Sequence, residues 1–295
     1  GAHLLQVRGR VPGRLAQAQH RHPAGVRERQ GRHQEAVDRD RRGPVGLLAG
    51  LRLLAVRPRV RGLHGRLQLR PEALPALDDA DVVIVHEWND PEIVAQIGEQ
   101  KERFGFTLLF HDTHHRAVSE IERMSKYDFS NYDAALVSGD VIRKIYEGKN
   151  WFEKVWTWHE AADAELFAPD RDQEKEGDLV WIGNWGDGER TEELKEFLID
   201  PVKELGIKAK VYGVRYPQEA INALKEAGIE YGGWLPNYKI PEVFSKYKVT
   251  VHIPRKPYLE MLQGIPTIRP FEALSCGIPL ICSPWNDAEH LFSPG

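Results

Sequence analysis

The chain has 295 residues, with 40 Lys and Arg against 44 Asp and Glu, a net charge of −4 and 41% apolar residues. That length suggests about two ordinary domains, and the balance excludes a strongly cationic nucleic-acid binder and a wholly disordered polymer. Cys276 and Cys282 are too few for a disulfide framework or a cysteine zinc site, and no apolar run approaches the ~18 residues that span a bilayer.

Residues 1–80 differ from the rest. They hold 16 Arg against 7 Asp and Glu, whereas the remainder holds 24 basic against 37 acidic residues. Only ten amino-acid types occur in them: Gly, Ala, Val, Leu, Pro, Arg, His, Gln, Asp and Glu. Phosphate recognition gives no reason to use Arg while excluding Lys entirely, and without aromatics there is no stacking platform for single strands. All ten types have codons beginning in G or C, and the ten missing types have codons beginning in A or T. This pattern reads as the wobble position of a GC-rich gene taken as the first position. Residues 1–80 are therefore expected to be a shifted-frame translation, the true frame resuming near residues 78–84, or else a natural Arg-rich disordered extension. No specific packed core is expected from residues 1–70.

From Asp81 the pattern becomes that of an α/β protein. Strands are predicted at 82–85, 107–110, 134–137 and 155–158, with helices at 91–101, 116–124 and 141–147 between them. A polar link, 161–177, with Pro169 and a run of charges, separates this region (81–160) from a second alternating one (178–295). Strands there are predicted at 179–182, 208–212, 230–231, 249–253 and 280–282, with helices at 191–205, 218–227, 240–246 and 270–275. The expected fold is two Rossmann-like units of parallel sheet flanked by helices, with ligands bound beyond the strands' carboxyl ends. Motifs at strand ends should carry the function.

Ile182-Gly183-Asn184-Trp185-Gly186-Asp187-Gly188-Glu189-Arg190 follows a strand and opens a helix. Its glycines permit close backbone approach to an anion, and Arg190 and Lys195 offer cationic donors. It is neither a dinucleotide fingerprint nor a Walker loop, and an ordinary glycine-rich turn explains it equally well. In Arg269-Pro270-Phe271-Glu272-Ala273-Leu274-Ser275-Cys276-Gly277-Ile278-Pro279-Leu280-Ile281, Pro270 is expected to start a short helix and Gly277 to end it. Glu272 would then sit in the first turn, where the helix dipole favours an anion and a carboxylate can accept hydrogen bonds from a ribose diol. In the other region, His111 and Asp112 end a strand and His114-His115 follows. Adjacent histidines would point apart on regular structure, which argues against a metal site. His115 is expected to be a solvated helix-start residue, His86-Glu87 to end another strand at the rim, and Trp156 and Trp158 to pack at the hinge.

Together these strings resemble the group 1 nucleotide-sugar glycosyltransferases of the two-domain GT-B fold. The 271–281 string is similar to their FEAxxCGxPLI segment. Asp163, Phe167 and Pro169 match their D-x3-F-x-P linker, Gly183 with Arg190 and Lys195 resembles their glycine turn and phosphate pair, and Gly233-Trp234-Leu235-Pro236 resembles their stretch near the nucleobase. Ile182-Gly183-Asn184 with Arg269-x-Phe271-Glu272 is more narrowly similar to the spore-maturation branch. The resemblance implies a metal-independent transfer of sugar from a nucleotide-diphosphate donor to an unknown acceptor, with no further cofactor. Glu272 would hold the ribose, Gly183, Asn184, Arg190 and Lys195 the diphosphate, and Arg269 would also bind the donor. His111 and Asp112 would serve at the sugar-facing rim. The family often has a second glutamate eight residues before Glu272, but position 264 is glycine, which leaves the donor sugar and the stereochemical outcome open. The incomplete N-terminal unit and the missing closing helices imply weak nucleotide binding and poor or no transfer. Alternatives are a nucleotide-sugar epimerase of the same fold and a non-catalytic partner-binding remnant. No nucleic-acid partner or integral membrane segment is expected, peripheral membrane contact stays open, and the absence of a signal peptide pattern suggests a cytoplasmic protein.

Overall fold

The computed structural model describes the backbone of residues 2–7 and 53–58, and residues 74–292 apart from Asp187. The rest of the Arg-rich segment, and the shifted-frame or disordered reading of it, lie outside the described residues. The described parts of the segment are two strands and a short helix. Strands β1 (Ala2–Val7) and β2 (Leu53–Pro58) pair antiparallel, and β2 runs parallel to β3 (Val82–His86) with Leu53 opposite Val82. Leu53-Leu54-Ala55-Val56 is an apolar run of the kind that extends a parallel sheet buried on both faces. A helix α1 (Leu74–Asp78) follows, with Leu77 fully buried.

The first sheet then continues through β4 (Thr107–Asp112), β5 (Ala134–Val137) and β6 (Val155–Thr157), in spatial order β1-β2-β3-β4-β5-β6, parallel from β2 onward. Helices α2 (Pro91–Phe104), α3 (Arg116–Ser119), α4 (Ile121–Met124) and α5 (Asp140–Gly148) make the crossovers. Helix α2 has Asp90 at its N-cap and Pro91 at its start, and Gly105 ends it at φ 73°. The predicted helix over 116–124 is two single turns, because Glu120 leaves the helical region at φ −133°, ψ 46°. The core holds Val83, Val85, Leu108, Phe110, Ile142 and a knot of aromatics around Phe129 and Phe152.

The second sheet is formed by β7 (Gly177–Ile182), β8 (Ala209–Tyr212), β9 (Glu230–Tyr231), β10 (Tyr247–His252) and β11 (Leu280–Cys282), in order β11-β10-β7-β8-β9 and all parallel. Alternate residues of β7 serve opposite faces, Leu179 and Trp181 in one core and Val180 and Ile182 in the other. Helices α6 (Thr191–Leu194) and α7 (Asp200–Leu205) are one continuous rod interrupted by a π turn at Lys195–Ile199. Pro201 lies just beyond that turn, where its missing N–H removes an ordinary rung. Helices α8 (Gln218–Glu226), α9 (Ile240–Ser245), α10 (Lys256–Glu260) and α11 (Ile268–Ser275) complete this half.

Two features bring the halves together. In the link, Phe167 enters the core of the second half and its carbonyl accepts from the Ser275 hydroxyl at 2.5 Å. Helix α10, where no element was predicted, and the turn after it cross the other way: Tyr258, Leu262 and Ile265 belong to the core of the first sheet. Among the described residues no helix is long and apolar enough to cross a membrane.

Candidate functional site

The carboxyl ends of β3 and β4 form one rim. Glu87 follows β3 with no exposed surface; its carboxylate lies against His86 Nδ1 and accepts from the Thr113 hydroxyl at 3.3 Å. Its carbonyl takes the Tyr127 hydroxyl at 2.8 Å. Burial raises this carboxyl to a pKa of about 8. Asp112 is equally buried: one oxygen accepts from the His114 N–H at 2.9 Å and the other from the Tyr146 hydroxyl at 2.7 Å. Burial, then the neighbouring Glu87, raises it to about 7. Asp112 thus stands behind the loop, whereas His111 is half-buried at the rim, 5.2 Å from the His86 ring and 5.3 Å from Trp158.

Three expectations about this rim need correction. His114 and His115 do not diverge, since their ring centroids are 3.9 Å apart in the irregular turn after β4. His115 is buried rather than solvated; it starts α3, places Nδ1 2.7 Å from the Ser119 hydroxyl and meets Tyr258 of α10 at 5.5 Å. Trp156 and Trp158 are 50% and 40% exposed, so they are covered less than expected, although the Trp158 ring still lies against His111. Among the described residues no group of three or more His, Cys, Asp and Glu is arranged to hold a metal ion.

The opposing rim belongs to the second sheet. Strand order there reverses between β7 and β10: the chain runs outward from β7 to β8 and β9 on one side, and β10 and β11 lie on the other. A crevice opens at such a switch point, beyond the strand ends. Arg190 spans it. Its guanidinium donates to Ile253 O, just after β10, at 2.9 Å and to Asn184 O, just after β7, at 2.5 Å. Its Nε is buried without a hydrogen-bond partner, and burial followed by Arg255 lowers its pKa to about 10. The Asn184 side chain accepts from Val214 N at 3.0 Å. Gly183 is required by contact: an added Cβ would lie 2.7 Å from the Trp181 ring, and one on Gly213 would lie 2.0 Å from Gly183 O. Lys195 departs from expectation, because it sits in the π turn, exposed, and pairs with Asp200 at 2.6 Å.

Glu272 is 3% exposed and accepts from the Arg269 guanidinium and from Asn237 Nδ2 at 3.1 Å; burial raises its pKa. Helix α11 starts at Ile268, not Pro270, so Glu272 is in the second turn. The anion at the helix start is instead Glu160 of the link, which accepts from the Ile268 N–H and is pushed to about 7 by burial and by Glu87 and Glu272. Glu160 is near enough to Glu87 of the first half and to Glu272 of the second for each to raise its pKa. At position 264 the glycine has φ +95° and an added Cβ would lie 2.8 Å from Ala288 Cβ, so no side chain fits there. Glu87, Glu160 and Arg255 are the site residues that sequence reasoning passed over or left unassigned. Only the strand-end position of Glu87 gave a signal.

Residues 190–295 match the model of a family described as glycosyl transferase-like. No curated protein matches the chain. Among solved structures the chain is similar to an alpha-glucosyltransferase in complex with UDP and a 13-mer DNA containing a central A:G mismatch, at 14% identity and a TM-score of 0.51, over 72% of this chain and 62% of that one. It is also similar to T4 phage BGT in complex with its UDP-glucose substrate, at 15% identity and a TM-score of 0.50, over 73% of this chain and 67% of that one. The chain thus spans about three fifths of the first of these proteins. At such identities the likeness concerns the fold: two parallel α/β sheets in the GT-B arrangement, the second carrying a glycosyl transferase-like segment.

Proposed function

We propose that the crevice binds a nucleotide-diphosphate sugar and that the chain transfers its sugar to an acceptor held against the first sheet. The observation that carries this reading is Arg190, which bridges the ends of β7 and β10 at the strand-order reversal; Glu272, buried and paired with Arg269, lies on α11 of the same half. Glu272 and Arg269 would receive the ribose, Glu272 exchanging Asn237 for a hydroxyl. Arg190, Gly183 and Asn184 would line the diphosphate. In transfer the anomeric C–O bond breaks and its electron pair leaves on the diphosphate. The acceptor oxygen bonds to the anomeric carbon and gives up its proton at the rim, where His111 is the half-buried imidazole. Guanidinium and backbone N–H groups fixed on the diphosphate stabilise the charge as it develops. Asp112 acts by holding the His114 loop rather than by touching substrate. UDP-glucose is the first donor to try, since it is the substrate named for the T4 phage protein. Ile182-Gly183-Asn184 at the end of β7 and Arg269-x-Phe271-Glu272 on α11, both in the second half, support the finer likeness to the spore-maturation branch. An epimerase needs carboxylates that touch the sugar, and Glu87 and Asp112 have no exposed surface for that.

The test is release of nucleoside diphosphate from UDP- and GDP-sugars, with water as the default acceptor, for the full chain and for Glu272→Ala. The reading expects release in the first and a loss of about tenfold or more in the second, since hydrogen bonds to a charged group are worth roughly 1.5–3 kcal/mol. No release and no binding with any donor would overturn it.

A further inference from the structure

We infer that Arg255, and not Lys195, is the second cation that meets the donor's diphosphate, and that Glu189 holds it in place until the donor arrives. The inference rests on the nucleotide-sugar reading above and assigns a residue to its charged subsite. Arg255 lies two residues beyond Ile253, whose carbonyl anchors Arg190, so the two guanidiniums come from the loops on either side of the β7/β10 crevice. Glu189, immediately before Arg190, pairs with Arg255, and its carbonyl accepts from Lys256 N at 3.2 Å, which ties the two loops together. The two arginines therefore share one carboxylate neighbourhood at the place where an anion would sit.

The surroundings favour an incoming anion. On the first sheet's rim, His114 and His115 lie within electrostatic reach of Arg255. His114 is pushed down to about 3, first by burial and then by His115, Arg116 and Arg255. His252, at the end of β10, is pushed down to about 3 by burial, Arg190 and Arg269. Each is kept neutral in part by cations that an anionic ligand would offset. Glu189 and Glu120 are the acidic groups felt by His115 in the same place. The Arg255–Glu189 pair is partly exposed, 28% and 26%, and such a pair contributes little, so a diphosphate can displace it. Lys195 lacks this setting: its side chain is 63% exposed and its ammonium is paired with Asp200.

Calorimetric titration of the full chain with UDP, GDP and the matching nucleosides separates the possibilities. Arg255→Gln is expected to weaken diphosphate binding about tenfold or more and to leave nucleoside binding unchanged. Arg255→Lys should fall between it and the unsubstituted chain, since it keeps the charge and loses the fork. Lys195→Gln should change affinity less than about twofold, and Glu189→Gln should tighten diphosphate binding. Loss of binding in Lys195→Gln with none in Arg255→Gln would overturn the inference while leaving the nucleotide-sugar reading standing. Absence of all nucleotide binding in the unsubstituted chain would overturn both. Far-ultraviolet dichroism and melting, expected to be unchanged for these partly exposed side chains, distinguish lost contacts from lost fold.

Discussion

The two rims of the crevice differ in how they hold charge. The first sheet ends in buried carboxyls, Glu87 and Asp112, raised toward neutrality and covered by Thr113, Tyr127 and Tyr146. The second ends in guanidiniums, Arg190, Arg255 and Arg269, and its carboxylates Glu189 and Glu272 are already paired to them. On the proposed reading, a diphosphate would meet the second rim, and an acceptor that must shed a proton would meet the first. On the same reading Glu272 would be a ligand-side carboxylate, whereas Asp112, with no exposed surface, would belong to the scaffold.

Substitutions sharpen this contrast. The largest effect should come from Gly213→Ala, which forces a Cβ into Gly183 O under the diphosphate turn; a loss of about 3 kcal/mol or more is expected by chemical denaturation, and a neutral result would contradict the close approach. Tyr146→Phe removes the hydroxyl that holds Asp112 and should cost about 1–3 kcal/mol, because a buried acceptor loses its donor. The buried carboxyls also give stability a direction with pH. Glu87 titrates near 8 against an ordinary 4.5, and Asp112 near 7 against 3.8, so the native chain keeps protons that the unfolded chain releases. Their contribution is complete below about pH 4 and is lost as pH rises through 7 to 8, at about 1.4 kcal/mol per pH unit for each retained proton. Denaturation at pH 5 and pH 8.5 should show the decline, and Glu87→Gln should flatten it; equal slopes would refute the assignment. At the small end, Lys195→Ala should change stability by less than about 1 kcal/mol, as for other exposed pairs.

Much of this was legible in the chain. The strands 134–137, 230–231 and 280–282 fall where apolar runs bounded by polar residues place them, and α2 and α8 begin where expected. What escaped is non-local. Helix α10 is five residues long and has no period to read; it exists because Tyr258, Leu262 and Ile265 find a core built more than 100 residues earlier. The strand β2 was hidden by an Arg-rich composition that averages over its short apolar run. In the site, Arg190, Arg269 and Glu272 carried a motif; Arg190 ties the ends of β7 and β10 together, and Arg269 pairs with the buried Glu272. Lys195 matched the same spacing but lies in the π turn imposed near Pro201, which breaks the simple helical register. Glu160 and Arg255 had no motif, since their roles come from contacts with Ile268 and Glu189 that only folding creates.

The central claim is that a sugar nucleotide lies in the crevice with its ribose on Glu272. Calorimetry of the full chain with UDP, GDP and inorganic pyrophosphate, beside Glu272→Gln, tests it most directly. The account predicts that the unsubstituted chain binds at least one nucleotide, that Glu272→Gln weakens that nucleotide about tenfold or more, and that pyrophosphate binding is unchanged. Equal nucleotide affinity for the two proteins would contradict it.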